Sequence, residues 1–204
     1  CCARSRILVE RSAHERVVEL FAAATQAIKV GDPADEATEV GTLVSFKQRE
    51  RVQEYIEIGL GEGATVVVGG DVPSDPALAD GAYLMPTVFD GATNDMRIAR
   101  EEIFGPVACV IAAKDYEEAL AIANDTEFGL CSGIVTTSLK HASHFKRHAQ
   151  AGMVMVNLPT AGVDFHVPFG GRGDSSHGPR EQGFAAIDFF TTSKTAYTLP
   201  GTPS

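Results

Sequence analysis

An α/β domain with a mostly parallel sheet and helices on both faces is what this sequence predicts, on three observations. Short apolar, β-branched runs alternate with stretches whose apolar residues recur every three or four positions, the pattern of strands joined by crossover helices. The 204 residues are 44% hydrophobic, enough for one sizeable core. Their 22% charged content and net charge of −10 belong to a folded acidic protein, which excludes disorder as the main state.

Taken in chain order, residues 6–9 (Arg-Ile-Leu-Val) form a short strand. The helix after it carries Val17, Leu20, Phe21, Ala24 and Ile28 at helical spacings, and Gly31, Asp32 and Pro33 end it. A second helix starts at about Ser45 with Val52, Tyr55, Ile56 and Leu60 on one face. Gly59, Gly61 and Gly63 break it before a strand at residues 65–68. Residues 69–81 form a Pro- and Asp-containing loop, and strands follow at 84–89, 107–111, 130–136 and 153–156. Helices fall between the later strands, one capped by Asp115 and one by Ser138. From 157 to 183 Gly, Pro, Ser and Asp crowd in without periodicity, a length of loop that compact domains keep for function. Residues 189–198 then alternate as a strand. The division expected is a main domain, 1–188, and a C-terminal strand and tail, 189–204.

The acidic balance repels phosphate backbones and no basic run offsets it, so nucleic acid and anionic lipid are poor partners. The longest apolar stretches are a few residues, far short of the roughly 20 that span a bilayer. The chain opens Cys1-Cys2-Ala3-Arg4 without an initiator Met, which suggests a truncated or processed start. Cysteines at 1, 2, 109 and 131 make neither a CxxC pair nor a disulfide framework, which fits a reducing compartment, the cytoplasm by default.

Several residues could carry chemistry. Cys1 and Cys2 precede a strand at a sheet edge and are either nucleophiles or small buried cysteines. Glu101-Glu102-Ile103-Phe104-Gly105-Pro106 sets two carboxylates, an aromatic and a turn before an apolar strand, as a ligand-facing loop or a solvated one. His141, His144 and His148 share a helix with Lys140, Lys146 and Arg147; those cations oppose a bound metal, so a solvated face and no metal are expected. His166, beside Asp164, Phe165 and Phe169, suits a substrate mouth or a packing role. Neither a phosphate-loop motif nor a G-x-G-x-x-G occurs.

Together these pieces resemble a family. The opening residues 1–9, the run Glu101 to Val107, Asn157, Pro168-Phe169-Gly170-Gly171, Arg180-Glu181-Gln182-Gly183 and Lys194-Thr195 are similar, in order and spacing, to the C-terminal part of an aldehyde dehydrogenase. Residues 157–160, 162–167, 178–183 and 194–197 further resemble the α-ketoglutarate semialdehyde dehydrogenase branch. The resemblance implies that Cys1 is the nucleophile and Cys2 its neighbour. It implies that Glu102 holds the nicotinamide ribose hydroxyls of NAD or NADP, that Phe104 packs beside that ribose, and that Gln48 also touches the cofactor. Phe169 matches a substrate-pocket aromatic, Glu181 a glutamate near the proton relay, and residues 157–167, with Phe165 and His166, the loop that selects the aldehyde's tail. His166 and Arg172 are candidate partners for a substrate carboxylate. The implied chemistry is addition of Cys1 to an aldehyde, hydride loss to the cofactor, and hydrolysis of the thioester. Residues 189–198 match an intersubunit strand, so a homo-oligomer is expected.

The sequence departs from the family pattern at Gly173-Asp174, where a Lys is often found. The resemblance also implies a dinucleotide-binding domain, a general-base glutamate, an oxyanion asparagine and the catalytic domain's first strand and helix before Cys1. A fragment without activity of its own is therefore expected. Competing readings are a fatty-aldehyde branch, a hydrolase whose N-terminal Cys1 uses its own amine as base, and a non-catalytic interaction module. The hydrolase needs antiparallel sheets, so a parallel strand at Val107 would remove it.

Overall fold

The computed structural model describes residues 2–201. Its strands are β1 (Arg6–Glu10), β2 (Thr65–Val68), β3 (Thr87–Asp90), β4 (Val107–Ala113), β5 (Cys131–Ile134) and β6 (Met153–Val156). The helices are α1 (His14–Gln26), α2 (Phe46–Gly61), α3 (Arg97–Arg100), α4 (Tyr116–Asn124), α5 (Leu139–His148) and α6 (Ala185–Phe190). One sheet runs β1-β4-β3-β2, parallel at β1–β4 and β3–β4 and antiparallel at β2–β3. β5 and β6 form a separate parallel pair. The parallel pairing of β4 on both sides removes the N-terminal-nucleophile hydrolase.

The continuous apolar run of β4 follows from burial on both sheet faces. Alternate side chains divide between them: Cys109 and Ile111 join Val52, Tyr55 and Ile56 of α2 and Ile98 of α3, whereas Val110 meets Val9, Val88 and, from α1, Val17, Val18 and Phe21. Val52 and Phe89 are wholly enclosed. Truncating either to Ala would cost about 2–5 kcal/mol, lost transfer energy plus a cavity.

The predicted caps are present. Ser45 Oγ accepts from the Gln48 amide at 3.1 Å, Asp115 from Glu118 at 2.9 Å and Ser138 from His141 at 3.2 Å, each satisfying an amide left open at a helix start. Gly59 does not break α2. It is where the helix packs closest, since an added Cβ would lie 3.0 Å from both Ile98 and Phe89.

Two expectations need correction. The strand expected at 84–89 enters the ladder only at Thr87, because Pro86 has no amide to give. Residues 189–198 are not a strand: Phe189 and Phe190 finish α6, and 191–201 carry no regular element. Alternation alone does not make a strand, which needs a neighbouring edge to hydrogen-bond. The histidine face is solvated at His144 and His148, which are exposed. His141 stacks on Tyr116 at 4.3 Å and the Tyr116 hydroxyl meets His144 Nδ1 at 2.9 Å, tying α5 to α4, while His144 stacks on His148 at 3.8 Å within α5. Among the described residues no helix is long and apolar enough to cross a membrane.

Candidate active site

The parallel strands β1 and β4 place their amino ends side by side, with the Cys109 amide donating to Ser5 O at 2.8 Å. The acidic turn therefore stands beside the segment that leads from Cys2 into β1. Cys1 itself lies outside the described residues.

Below that turn, Gln48 in the first turn of α2 reaches up with its amide. Nε2 donates to Ile103 O and to Phe104 O, each at 3.1 Å. Phe104 takes a left-handed φ of 55° and leaves its ring 64% exposed, while Ile103 is buried as an anchor. A left-handed conformation in a residue with a Cβ costs roughly 1–2 kcal/mol and persists where its surroundings hold it. The two bonds from Gln48 are part of that hold. Glu102, between the anchor and Glu101, is exposed.

Glu101 fixes the other side of the turn. Its carboxylate accepts from Arg97 Nε at 2.8 Å and Nη2 at 3.1 Å, and from the Tyr55 hydroxyl at 2.7 Å. The hydrogen bond from Arg97, followed by that from Tyr55, lowers its pKa to about 2, and the bond to Glu101 raises that of Tyr55. Sequence reading placed Tyr55 only on the apolar face of the second helix and did not name Arg97; the i, i+4 spacing of Arg97 and Glu101 was the signal available.

A second group forms around β5 and β6. After β6 the chain turns at Asn157, which has φ 56°, and its side chain closes both hydrogen bonds with the Thr136 backbone, at 2.8 and 2.9 Å. The returning strap passes Arg4, whose guanidinium donates to Leu158 O, and reaches Cys131, whose sulfur lies 3.9 Å from Thr160 O. Phe169 and Glu181 pair through their backbones at 2.8 and 2.9 Å, which places both on one antiparallel bridge. Gly183 donates to Phe165 O at 3.3 Å, bringing residues 165 and 166 to the same bridge. Phe165 is 85% exposed, its ring edge-on to the exposed His166 at 5.5 Å. Arg180 donates to Gly171 O, while Arg172 uses its amide on Gly129 O and leaves its side chain exposed.

The predicted residues thus fall into two sets, Gln48 with the 102–104 turn and Phe165, His166, Phe169 and Glu181 around one bridge. Residues 2–5 run between them, touching β4 through Ser5 and reaching Gly133 of β5 through the Arg4 guanidinium. A cleft of about 580 Å³ opens by Arg4, Val135, Thr136, Thr137, Asn157 and Leu158, and another of about 670 Å³ within the single loop 173–177. Neither is lined by Phe165, His166 or Phe169, but the first takes in Asn157 and Leu158 at the start of the predicted substrate loop. The first opens at the carboxyl ends of β5 and β6, where sequence reading had only the strap after Asn157.

Comparison with known proteins decides the family, because residues 1–196 match the aldehyde dehydrogenase family. The chain belongs to the aldehyde dehydrogenase family. It is 43% identical to an α-ketoglutarate semialdehyde dehydrogenase of Haloferax volcanii, over 97% of this chain and 41% of that protein. It is also 43% identical to a betaine aldehyde dehydrogenase of Agrobacterium fabrum, over 98% of this chain and 40% of that protein. Among solved structures, the betaine aldehyde dehydrogenase of Staphylococcus aureus in complex with NAD+ superposes with a TM-score of 0.90 at 32% identity, over 93% of this chain and 37% of that one. The α/β architecture is therefore that of aldehyde dehydrogenases, and the chain spans about two fifths of the length of these relatives.

Proposed function

We propose that this chain supplies the nucleophile and the nicotinamide-facing turn of an NAD- or NADP-dependent aldehyde dehydrogenase that oxidises a short aldehyde bearing a distal carboxylate. The observation that carries the reading is the clamped turn at the amino end of β4. Glu102 and the exposed ring of Phe104 are held there by Gln48 on one side and Arg97 and Tyr55 on the other, beside the segment that follows Cys1. A carboxylate able to accept from two ribose hydroxyls and a ring able to cover a sugar face suit a nicotinamide riboside, so the residues fit the cofactor. When bound, it supplies the hydride acceptor.

Within this reading the Cys1 sulfur adds to the aldehyde carbon, forming a C–S bond, and after that carbon has lost hydride a thioester remains on Cys1. Water then cleaves the C–S bond, giving the carboxylate and returning the thiol. Glu102 positions the ribose and so fixes the hydride distance, and Gln48 acts through the turn as a positioning residue. Glu181, on the bridge with Phe169, serves the proton relay. Phe169, Phe165 and His166 line the aldehyde's approach, with His166 or Arg172 meeting its distal carboxylate. The 189–198 segment joins subunits of a homo-oligomer.

A second substrate reading rests on the equal identity to betaine aldehyde dehydrogenases and on the exposed Phe165 face, which can meet a quaternary ammonium by cation–π attraction. Steady-state kinetics of the full-length protein with semialdehyde acids, a trimethylammonium aldehyde and long-chain aldehydes separate the branches. The carboxylate reading expects the largest kcat/KM for the semialdehyde acids, and a larger value for either other class overturns it. Cys1→Ala and Glu102→Gln test the chemistry. The first is expected to abolish aldehyde-dependent reduction of NAD or NADP, the second to slow hydride transfer with little change in aldehyde KM, and wild-type turnover by Cys1→Ala refutes the proposal.

A further inference from the structure

The face where α5 meets α4 carries side chains that aldehyde oxidation does not use. His144 and His148 stand four residues apart in the second half of α5, both exposed, with their rings stacked at 3.8 Å and 13° from parallel. Residues at that spacing are neighbours on one helix face. Each ring is held at its inner nitrogen. His148 Nδ1 lies 2.8 Å from His144 O, and because a carbonyl only accepts, the proton of the neutral ring sits on Nδ1 and Nε2 carries the lone pair. His144 Nδ1 lies 2.9 Å from the Tyr116 hydroxyl, which can donate or accept. Tyr116 is itself fixed between rings, stacked on His141 at 4.3 Å and edge-on to His144 at 5.6 Å.

From this pair we infer a binding site for a divalent transition-metal ion, chelated by Nε2 of His144 and Nε2 of His148. Two imidazoles at i and i+4 on one helix face are a pairing that zinc sites use, and a hydrogen bond at the other ring nitrogen is what fixes such ligands. A metal bound at about 2.0–2.1 Å holds two nitrogens roughly 3–3.5 Å apart, which rings stacked at 3.8 Å reach with a small tilt. Binding at His144 requires its lone pair on Nε2. The ring proton then sits on Nδ1, and the Tyr116 hydroxyl turns to accept it. Burial, and then the charge of Glu117, raises the Tyr116 pKa, so that hydroxyl keeps its own proton. Among the described residues no set of three His, Cys, Asp or Glu is placed to hold a metal, so water completes the coordination and the site is open and weak. Lys140 and Arg147, four residues before and three after His144, are the reason the sequence argues against a metal. Both are exposed on long side chains that carry their charge into solvent, where salt screens it. The carbonyl end of α5 acts the other way, since its partial negative charge favours a cation. Imidazole donors suit Cu2+, Ni2+ and Zn2+, whereas Mg2+ and Ca2+ take oxygen.

The test is isothermal titration calorimetry of the full-length protein with nickel chloride, after its thiols are blocked with N-ethylmaleimide so that only other ligands remain. Saturable Ni2+ binding is expected, weakened at least tenfold in His144→Gln and in His148→Gln, and no binding of Mg2+ in the same titration. Tyr116→Phe, which keeps the ring stack but leaves His144 Nδ1 without its partner, is expected to weaken Ni2+ binding about tenfold. The wild-type comparison of Ni2+ with Mg2+ needs no variant, so a misfolded variant does not spoil the test. Absence of saturable Ni2+ binding, Mg2+ binding as tight as Ni2+, or unchanged Ni2+ affinity in either Gln variant overturns the inference, and unchanged affinity in Tyr116→Phe overturns the orienting role of Tyr116. Every readout is a heat of binding, so the result stands or falls independently of aldehyde turnover.

Discussion

Gln48→Ala removes both donors beneath the acidic turn while leaving the start of α2 capped, because Ser45 binds the Gln48 backbone and not its side chain. The carbonyl of buried Ile103 loses a partner it cannot easily replace, a cost of about 1 kcal/mol, while the exposed Phe104 carbonyl regains water at a cost of a few tenths. That sum is comparable to the roughly 1–2 kcal/mol held in a left-handed non-glycine residue, so the turn is expected to sample φ values other than the 55° of Phe104. If bound cofactor must restore the original turn, the full sum reappears as weaker cofactor binding, about five- to tenfold in KM at roughly 1.4 kcal/mol per decade. Steady-state kinetics of the full-length enzyme, with aldehyde saturating and cofactor varied, reads this directly, and aldehyde KM at saturating cofactor should hardly move. Gln48→Glu sharpens the test, since it sets acceptor oxygens against two carbonyls and should be worse than Ala. Cofactor KM within about twofold of wild type for both variants, or Glu no worse than Ala, refutes the positioning role.

Glu101 has a folded pKa below its unfolded value, so its ion pair stabilises the protein above about pH 4.5 and that contribution fades as pH falls toward 2. Glu101→Gln should cost about 1 kcal/mol at pH 7 after solvent screening of this exposed pair, and nothing near pH 2; an equal loss at both pH values in denaturant titrations contradicts the assignment. Gly152→Ala would drive a Cβ into the Gly170 carbonyl, a backbone group that cannot swing aside. A loss of about 2 kcal/mol or more is expected, with faster hydrogen exchange at Phe169 and Arg172, and unchanged exchange there argues against the packing described. Thr87→Val keeps the shape of a buried side chain but deletes the hydroxyl that accepts from Gly70 and donates to Met85, both at 2.9 Å; chemical denaturation should show a loss of about 1–3 kcal/mol.

Local chemistry made much of this protein legible in its sequence. Ser45, Asp115 and Ser138 announce helix starts because a short side-chain oxygen can satisfy an amide two or three residues on. The unbroken apolar run of β4 announces a strand covered on both faces, and the spaced motifs through Glu102, Phe169 and Glu181 pointed to the family that the comparisons established. Periodicity, however, reports which face of an element is apolar, not which element lies beside it. That β1 pairs with β4 and not with β2, that Gln48 spans 55 positions to hold Ile103, and that Arg4 reaches the Leu158 carbonyl are consequences of packing between distant segments. The tail shows the same limit. The alternation at 189–198 is a strand's pattern, but a strand's hydrogen bonds belong to its neighbour, and none of the described strands pairs with it; Phe189 and Phe190 complete a helix instead, since a helix finds its hydrogen bonds within its own chain.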